Sequence, residues 1–206
     1  DFAFMELFAS TNAVCTSDFD SLMVPFFCVA TDIYNNQPVI LDSGDLGEAI
    51  RASMTVPLYF TPITIDDVLL FDGGIVNNLP HDVMKKTFEP DIIIGHKVAN
   101  PSRVAVSDDV IDQITSMVMR PTNYHIPPAD GMLLESKFED VNLLDFNKAD
   151  IIIAEGEKTA RQFLDSIKSR VHRRLPQKKI KEKRNRFNAQ KPELFFQNIQ
   201  VEGIEN

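Results

Sequence analysis

No apolar run approaches the roughly 18–20 residues that a membrane-spanning helix needs, so the 206-residue chain holds no candidate span. No secretory leader is read in these residues, the first of which is Asp1 rather than Met. The expectation is a segment of a longer polypeptide. Cysteine is scarce. The spacing of Cys15 and Cys28 neither establishes nor excludes a disulfide, and Cys28, set in an apolar strand pattern, reads as a core residue. The four histidines, His81, His96, His125 and His172, are scattered and read as structural or exposed. No Cys/His cluster has metal-ligand spacing, so no metal is expected.

What is there is a globular composition, 44% hydrophobic over 206 residues, enough for one domain with a substantial core. The net charge of −9 is unevenly spread. Residues 168–186 carry ten Lys/Arg and a single acid, Glu182, which leaves the remainder strongly acidic. An acidic body argues against nucleic acid as a partner. The basic run reads as a solvated helix end and linker, the alternative being a segment that binds anionic lipid or nucleic acid.

Hydrophobic patterning alternates between strands and helices, with no internal repeat. "SLMVPFFCVATDI" and "PVILDSG" read as strands joined at a "YNNQ" turn, where Asn35 and Asn36 suit a left-handed backbone. "DLGEAIRASM" reads as a helix with Asp45 as N-cap and Glu48 at capping-box spacing, ended by Pro57. "TPITI" and "VLLF" form a hairpin about Asp66 and Asp67, and Pro80 opens a helix to about Phe88. "DIIIGHKVA" has the continuous apolar character of a parallel strand covered on both faces. "DDVIDQITSMVMR" reads as an amphipathic helix, and a short strand is expected at Met132 to Leu134. A long helix is expected from about Lys148 to Arg174, its apolar stripe at Ile153, Ala160, Phe163, Leu164, Ile167 and Val171, with Gly156 a weak or close-packing point and Pro176 its end. Residues 177–192 read as a charged linker, and "FFQNIQVEGIEN" as a new strand. The alternation points to an α/β sheet.

One stretch asks for a chemical explanation. In "LLFDGGIVNNLP", residues 69–80, the apolar run that begins at Val68 reads as a buried strand that delivers Asp72 into a glycine turn. A carboxylate there is costly unless something uses it. Aimed rigidly into a cleft, it can take a proton from a hydroxyl nucleophile; taken alone, Asp-Gly-Gly reads rather as a turn aspartate capping a backbone loop, since the tripeptide is common. Asn77 and Asn78 read as satisfying backbone groups after the turn. Ser53 and Ser43, with no nucleophile-type flanking, read as structural. Arg51 reads as a solvated or paired helix residue, the alternative being a lipid headgroup contact. Met117, Val118 and Met119 read as helix core, the alternative being an acyl groove.

In order along the chain, "LMVPFFCVATDIYNNQPVILDSG", "GDLGEAIRASMTVPLYFTPI", "LLFDGGIVNNLPHDVMKK" and "VNLLDFNKADIIIAEGEKTARQF" resemble the patatin-like phospholipase family over about two-thirds of the sequence. The resemblance implies a three-layer α/β/α fold, here incomplete at its N-terminal strands, and a Ser/Asp dyad needing no cofactor. Asp72 matches the dyad aspartate, the general base, and Gly73 and Gly74 its supporting turn. The family's Gly-x-Ser-x-Gly elbow and its glycine-rich oxyanion loop occur nowhere in these residues. In the family both lie upstream, so this chain alone is expected to be inactive, and losing even one oxyanion donor costs about 3–4 kcal/mol. It is further expected to be unstable, or to pair with a partner through exposed strand edges.

The implied partners are a phospholipid or other lipid ester, a membrane surface, and the upstream remainder of the domain, with no nucleic acid and no expectation for oligomeric state. "FFQNIQVEGIEN" resembles the opening strand of a POTRA module, the alternative being a strand of the hydrolase itself. The implied organisation is 1–175 for the C-terminal part of the hydrolase domain, 176–192 for the charged linker and 193–206 for the POTRA-like start. That architecture places the chain in a bacterial cell envelope, a cytoplasmic site being the alternative. It also leaves a second functional reading, a non-catalytic module assembling with an outer-membrane barrel.

Overall fold

Turn chemistry sets the first sheet. In this computed structural model, which describes residues 2–98, 119–138, 141 and 145–195, strands β1 (Cys28–Asp32) and β2 (Gln37–Leu41) form an antiparallel hairpin. Asp32 closes the turn: its carboxylate accepts from the amides of Tyr34 and Asn35 and from Asn35 Nδ2. Those bonds, the Asn35 side chain's first, hold its carboxyl below the usual range. Of the two turn asparagines, Asn36 takes the left-handed conformation. The second hairpin joins β3 (Ile63–Ile65) to β4 (Val68–Asp72) through Asp66 and Asp67, both with positive φ, the geometry of a two-residue turn that follows strand twist. β4 lies antiparallel to β1, giving the order β2-β1-β4-β3.

Two helices cover this sheet. α1 (Phe2–Cys15) packs against α2 (Leu46–Ser53), and α2 against β1 and β4. Asp45 caps α2, its Oδ1 accepting from Glu48 N at 3.0 Å. The core between them is built from Cys15, Phe19, Ala30, Leu46, Ala52 and Leu70. Two boundaries differ from the sequence pattern. β1 starts at Cys28, not near Ser21, because Asp18 caps a short 3-10 turn at Phe19–Ser21 and Phe26 N folds back onto Phe19 O. α2 stops at Ser53, before Pro57, as Thr55 turns its hydroxyl back to Arg51 O.

The rest of the described chain centres on a parallel pair, β5 (Ile93–Lys97) and β6 (Gly131–Glu135), with α3 (His81–Phe88) preceding β5. Gly131 is obligatory, since a Cβ there would meet Ile93 O at 2.0 Å. β5 is not covered on both faces as expected. Its residues alternate buried and exposed, and Ile94 is 44% exposed. The expected helix over 108–120 and the strand over 195–206 lie outside the described residues, apart from Met119, Arg120 and Phe195.

The long C-terminal helix is instead two, α4 (Ala149–Gln162) and α5 (Leu164–Arg170), broken at Phe163. Its buried stripe also differs. Thr159 is buried, while Ile153 is 66% exposed. The winning face is fixed by a polar partner, Ser136, whose hydroxyl meets Thr159 Oγ1 at 2.9 Å. Gly156 makes no tight approach. Arg170 ends α5 by donating to the carbonyls of Gly131 and Ala129 beside β6. The expected linker contains a solvent-exposed helix, α6 (Gln177–Asn188). No described helix is long and apolar enough to cross a membrane. The whole is a mixed α/β structure, consistent with an α/β/α arrangement of the patatin type.

Leu70 anchors the four-stranded sheet at 1% exposure. Leu70→Ala is expected to destabilise the fold by about 2–5 kcal/mol, read from the midpoint of urea unfolding.

Candidate functional site

Asp72 is the last residue of β4, and its backbone is held from two sides. Asp72 N donates to Thr55 O at 2.9 Å, and its carbonyl accepts from Thr31 Oγ1 at 2.9 Å. Both threonines are fully buried, so these bonds are shielded from competing water. The side chain is half-buried. Oδ1 accepts from Gly74 N at 2.7 Å, capping the short 3-10 turn Gly73–Ile75. Among the described residues nothing donates to Oδ2, and no buried polar side-chain atom lacks a partner, so Oδ2 is open to an incoming donor. Burial pushes the carboxyl above its ordinary value, and the Gly74 amide opposes this only in part. The cap and the proton-accepting geometry therefore coexist: one oxygen fixes the turn, the other stays available.

The two glycines do different work. A Cβ on Gly73 would meet Val29 O at 2.2 Å, so the turn is pressed directly on the β1 backbone. A Cβ on Gly74 would lie 2.8 Å from Asn78 Oδ1 and 2.9 Å from Asp72 Oδ1, in the space those two groups frame.

The other candidates fall into structural places. Ser53 Oγ donates to Val29 O at 2.7 Å and Ser43 Oγ to Asp42, so neither is directed at Asp72. No described serine hydroxyl hydrogen-bonds to the Asp72 carboxylate. Arg51 bonds Thr55 Oγ1 and Thr61 O and lies over the Phe60 ring. Asn77 bridges to Asp82, whereas Asn78 reaches Tyr124 and Thr122. Both cysteines are free. Cys28 Sγ donates to Ala49 O, and burial pushes its thiol up to about 12. Met119 is partly exposed; Met117 and Val118 lie outside the described residues. Among the described residues no group of His, Cys, Asp and Glu is arranged to hold a metal.

Two features escaped the sequence reading. His96 Nε2 lies 2.9 Å from Ser136 Oγ, a distance that suits a nucleophile–base pair. Ser136, however, is 3% exposed and directs its proton to Thr159 Oγ1, so the trio ties α4 to the parallel strands. Lys97, nearly buried, pairs with Glu135 at 2.7 Å and sits over the Tyr124 ring, and its hydrogen bond lowers the Glu135 carboxyl. The only sequence signal for either was polar residues at or just beyond apolar strands.

A carboxylate fixed at a strand end by a glycine turn, with one oxygen free of internal bonds, can accept a proton from a hydroxyl brought to it. Residues 10–85 match the family model for patatin-like phospholipase. A patatin-like phospholipase domain-containing protein of Caenorhabditis elegans is 41% identical over 68 residues, 32% of this chain and 5% of that protein. Human patatin-like phospholipase domain-containing protein 6 is 40% identical over a stretch of the same length and coverage. An uncharacterized NTE family protein of Mycobacterium tuberculosis is 24% identical over 168 residues, 68% of this chain and 29% of that protein. These matches make the chain similar to the patatin-like phospholipase family over part of its length. The matched stretches span less than a third of the length of these relatives.

Two outcomes follow from the geometry. With its thiol at about 12, Cys28 is expected to resist iodoacetamide at pH 8 in the native chain and to react once urea unfolds it, as followed by mass spectrometry. Gly73→Ala is expected to cost about 1–3 kcal/mol or more in thermal or denaturant unfolding, because its methyl group meets backbone rather than a movable side chain.

Proposed function

We propose that the chain is the base-bearing part of a patatin-like lipid acyl hydrolase, with Asp72 as the general base of a Ser/Asp dyad. The supporting observation is the half-buried carboxylate of Asp72, one oxygen pinned by Gly74 N and the other open among the described residues. The serine comes from polypeptide outside this sequence, where no Gly-x-Ser-x-Gly occurs. In the reaction, Asp72 Oδ2 takes the proton of that serine as its oxygen attacks the ester carbonyl. The proton then passes to the leaving alcohol, and water hydrolyses the acyl-enzyme with Asp72 again as base. Gly73 and Gly74 keep the carboxylate at the turn and clear its approach.

The substrate class is a carboxylic ester of a phospholipid or related lipid, met at a membrane surface. Residues 193–206 are read as the start of a POTRA-like module that follows the 176–192 segment. With it goes a location in a bacterial cell envelope.

The raised carboxyl has a sign. Asp72 must be ionised to act, so the acid limb of kcat/KM should lie above the ordinary carboxylate range. The same shift makes the fold prefer the protonated acid. Stability contributed by this group therefore falls as pH rises from its unfolded value through its folded one. Asp72→Asn, in the polypeptide that includes the elbow serine, is expected to abolish turnover of a short-chain aryl ester while raising the melting temperature at neutral pH. Retained turnover overturns the base assignment. The present chain alone is expected to show no turnover that a serine-directed phosphonate can block.

A further inference from the structure

We propose that Asn78 and Tyr124 are positioning residues for the Asp72 carboxylate, clamping the Asp-Gly-Gly turn from its Gly74 side as β1 holds it from its Gly73 side. The inference rests on the reading of Asp72 as the base. It goes beyond that reading in assigning roles to a segment, residues 119–126, that carries none of the motif.

Three hydrogen bonds stitch that segment to the turn. Arg120 N donates to Ile75 O at 2.7 Å, Asn78 N to Thr122 Oγ1 at 3.1 Å, and Asn78 Nδ2 to Tyr124 Oη at 3.1 Å. The amide of Asn78 is thereby oriented with its Oδ1 toward Gly74. Asn78 Oδ1 and Asp72 Oδ1 both lie within 2.9 Å of the position a Gly74 Cβ would occupy. Gly74 N is itself the donor that fixes Asp72 Oδ1, so the clamp bears on the residue that orients the carboxylate.

Tyr124 is in turn held from the other side. Lys97 Nζ sits 4.6 Å from its ring centroid, and Lys97 is tied to Glu135 at 2.7 Å, across the parallel strands. The neighbouring Ile126 is buried, its Cδ1 2.6 Å from where a Gly95 Cβ would stand. The parallel pair thus sets the tyrosine, the tyrosine sets the asparagine, and the asparagine bears on the turn. Burial and the Gly74 amide are the influences on the Asp72 carboxyl, with no charged side chain among them. The charged residues along the clamp are Arg120, whose amide meets Ile75, Asp82, which accepts from Asn77, and Lys97 and Glu135 beyond the Tyr124 ring.

A general base depends on geometry first, and a misplacement of about 1 Å costs on the order of a hundredfold in rate. The test uses the polypeptide that carries the elbow serine, with Asp72→Asn, Tyr124→Phe and Asn78→Asp compared in turnover of a short-chain aryl ester, pH profile and melting temperature. Tyr124→Phe keeps the ring under Lys97 and removes only the hydroxyl. It is expected to lower kcat roughly tenfold or more, with KM within about twofold and the melting temperature little changed. Asn78→Asp keeps the shape but sets a second carboxylate beside Asp72, so the acid limb of kcat/KM is expected to move to higher pH.

If Asp72→Asn is inactive while Tyr124→Phe keeps wild-type kcat and Asn78→Asp leaves the acid limb in place, the positioning role is overturned and the base assignment stands. A kcat loss that only tracks a fall in melting temperature, with the acid limb unmoved, overturns it as well. An active Asp72→Asn removes the base assignment and this inference together.

Discussion

The structure around the site depends on one close approach, the Gly73 backbone lying against the carbonyl of Val29. That approach lets β4 deliver Asp72 directly beside β1, where Thr31 and Thr55 take up its carbonyl and amide. With both backbone groups satisfied by buried partners, the peptide unit has no reason to rotate. The carboxylate then needs a single internal bond, to Gly74, to fix its direction. A side chain larger than hydrogen at residue 73 would push the turn off β1 and loosen all three bonds at once. The carboxylate is thus placed by backbone packing more than by side-chain contacts.

Burial at this position has two consequences that pull against each other. It raises the cost of ionising Asp72, which weakens the fold near neutral pH, and it makes the ionised form a better proton acceptor. A surface aspartate would avoid the cost and lose the basicity. The cap from Gly74 is a compromise: it stabilises the carboxylate somewhat without occupying both oxygens. Cys28 shows the same burial acting where no such bond opposes it strongly, and there the thiol stays neutral and inert.

Local chemistry was legible in the sequence and tertiary choice was not. The Asp66–Asp67 turn, the Asp45 cap and the β1–β2 hairpin could be read because each is decided within a few residues. Asp72 could be singled out because a charge at the end of an apolar run stands out by itself. The face of α4 was misread because hydrophobicity favours Ile153, whereas a hydroxyl chain from Ser136 to Thr159 decides which side turns inward. Likewise Tyr124 and Lys97 lie far from the motif in sequence and join it only through the fold, and no local pattern announces a cation resting on a ring. The exposed side of β5 has the same origin, since an apolar run shows that a residue can be buried but not that something covers it.

The parallel pair carries the argument furthest. Two strands alone are marginal in water, yet β5 and β6 are fastened from several directions. Lys97 binds Glu135 across them, Lys85 binds Asp130 just before β6, and Arg170 reaches the carbonyls of Gly131 and Ala129. Most of these ties are polar or charged and most touch solvent, so each alone contributes little to stability. Their common feature is geometric, for they fix the pair in register against α3 and α5 and hold Lys97 over the Tyr124 ring. Among the described residues each sheet still ends in unpaired edge strands, and Ile94 faces outward. A scaffold whose polar ties are complete but whose apolar faces are not is one that further polypeptide can complete without rearranging what holds Asp72. The serine the proposed dyad requires would then arrive at a carboxylate already in place.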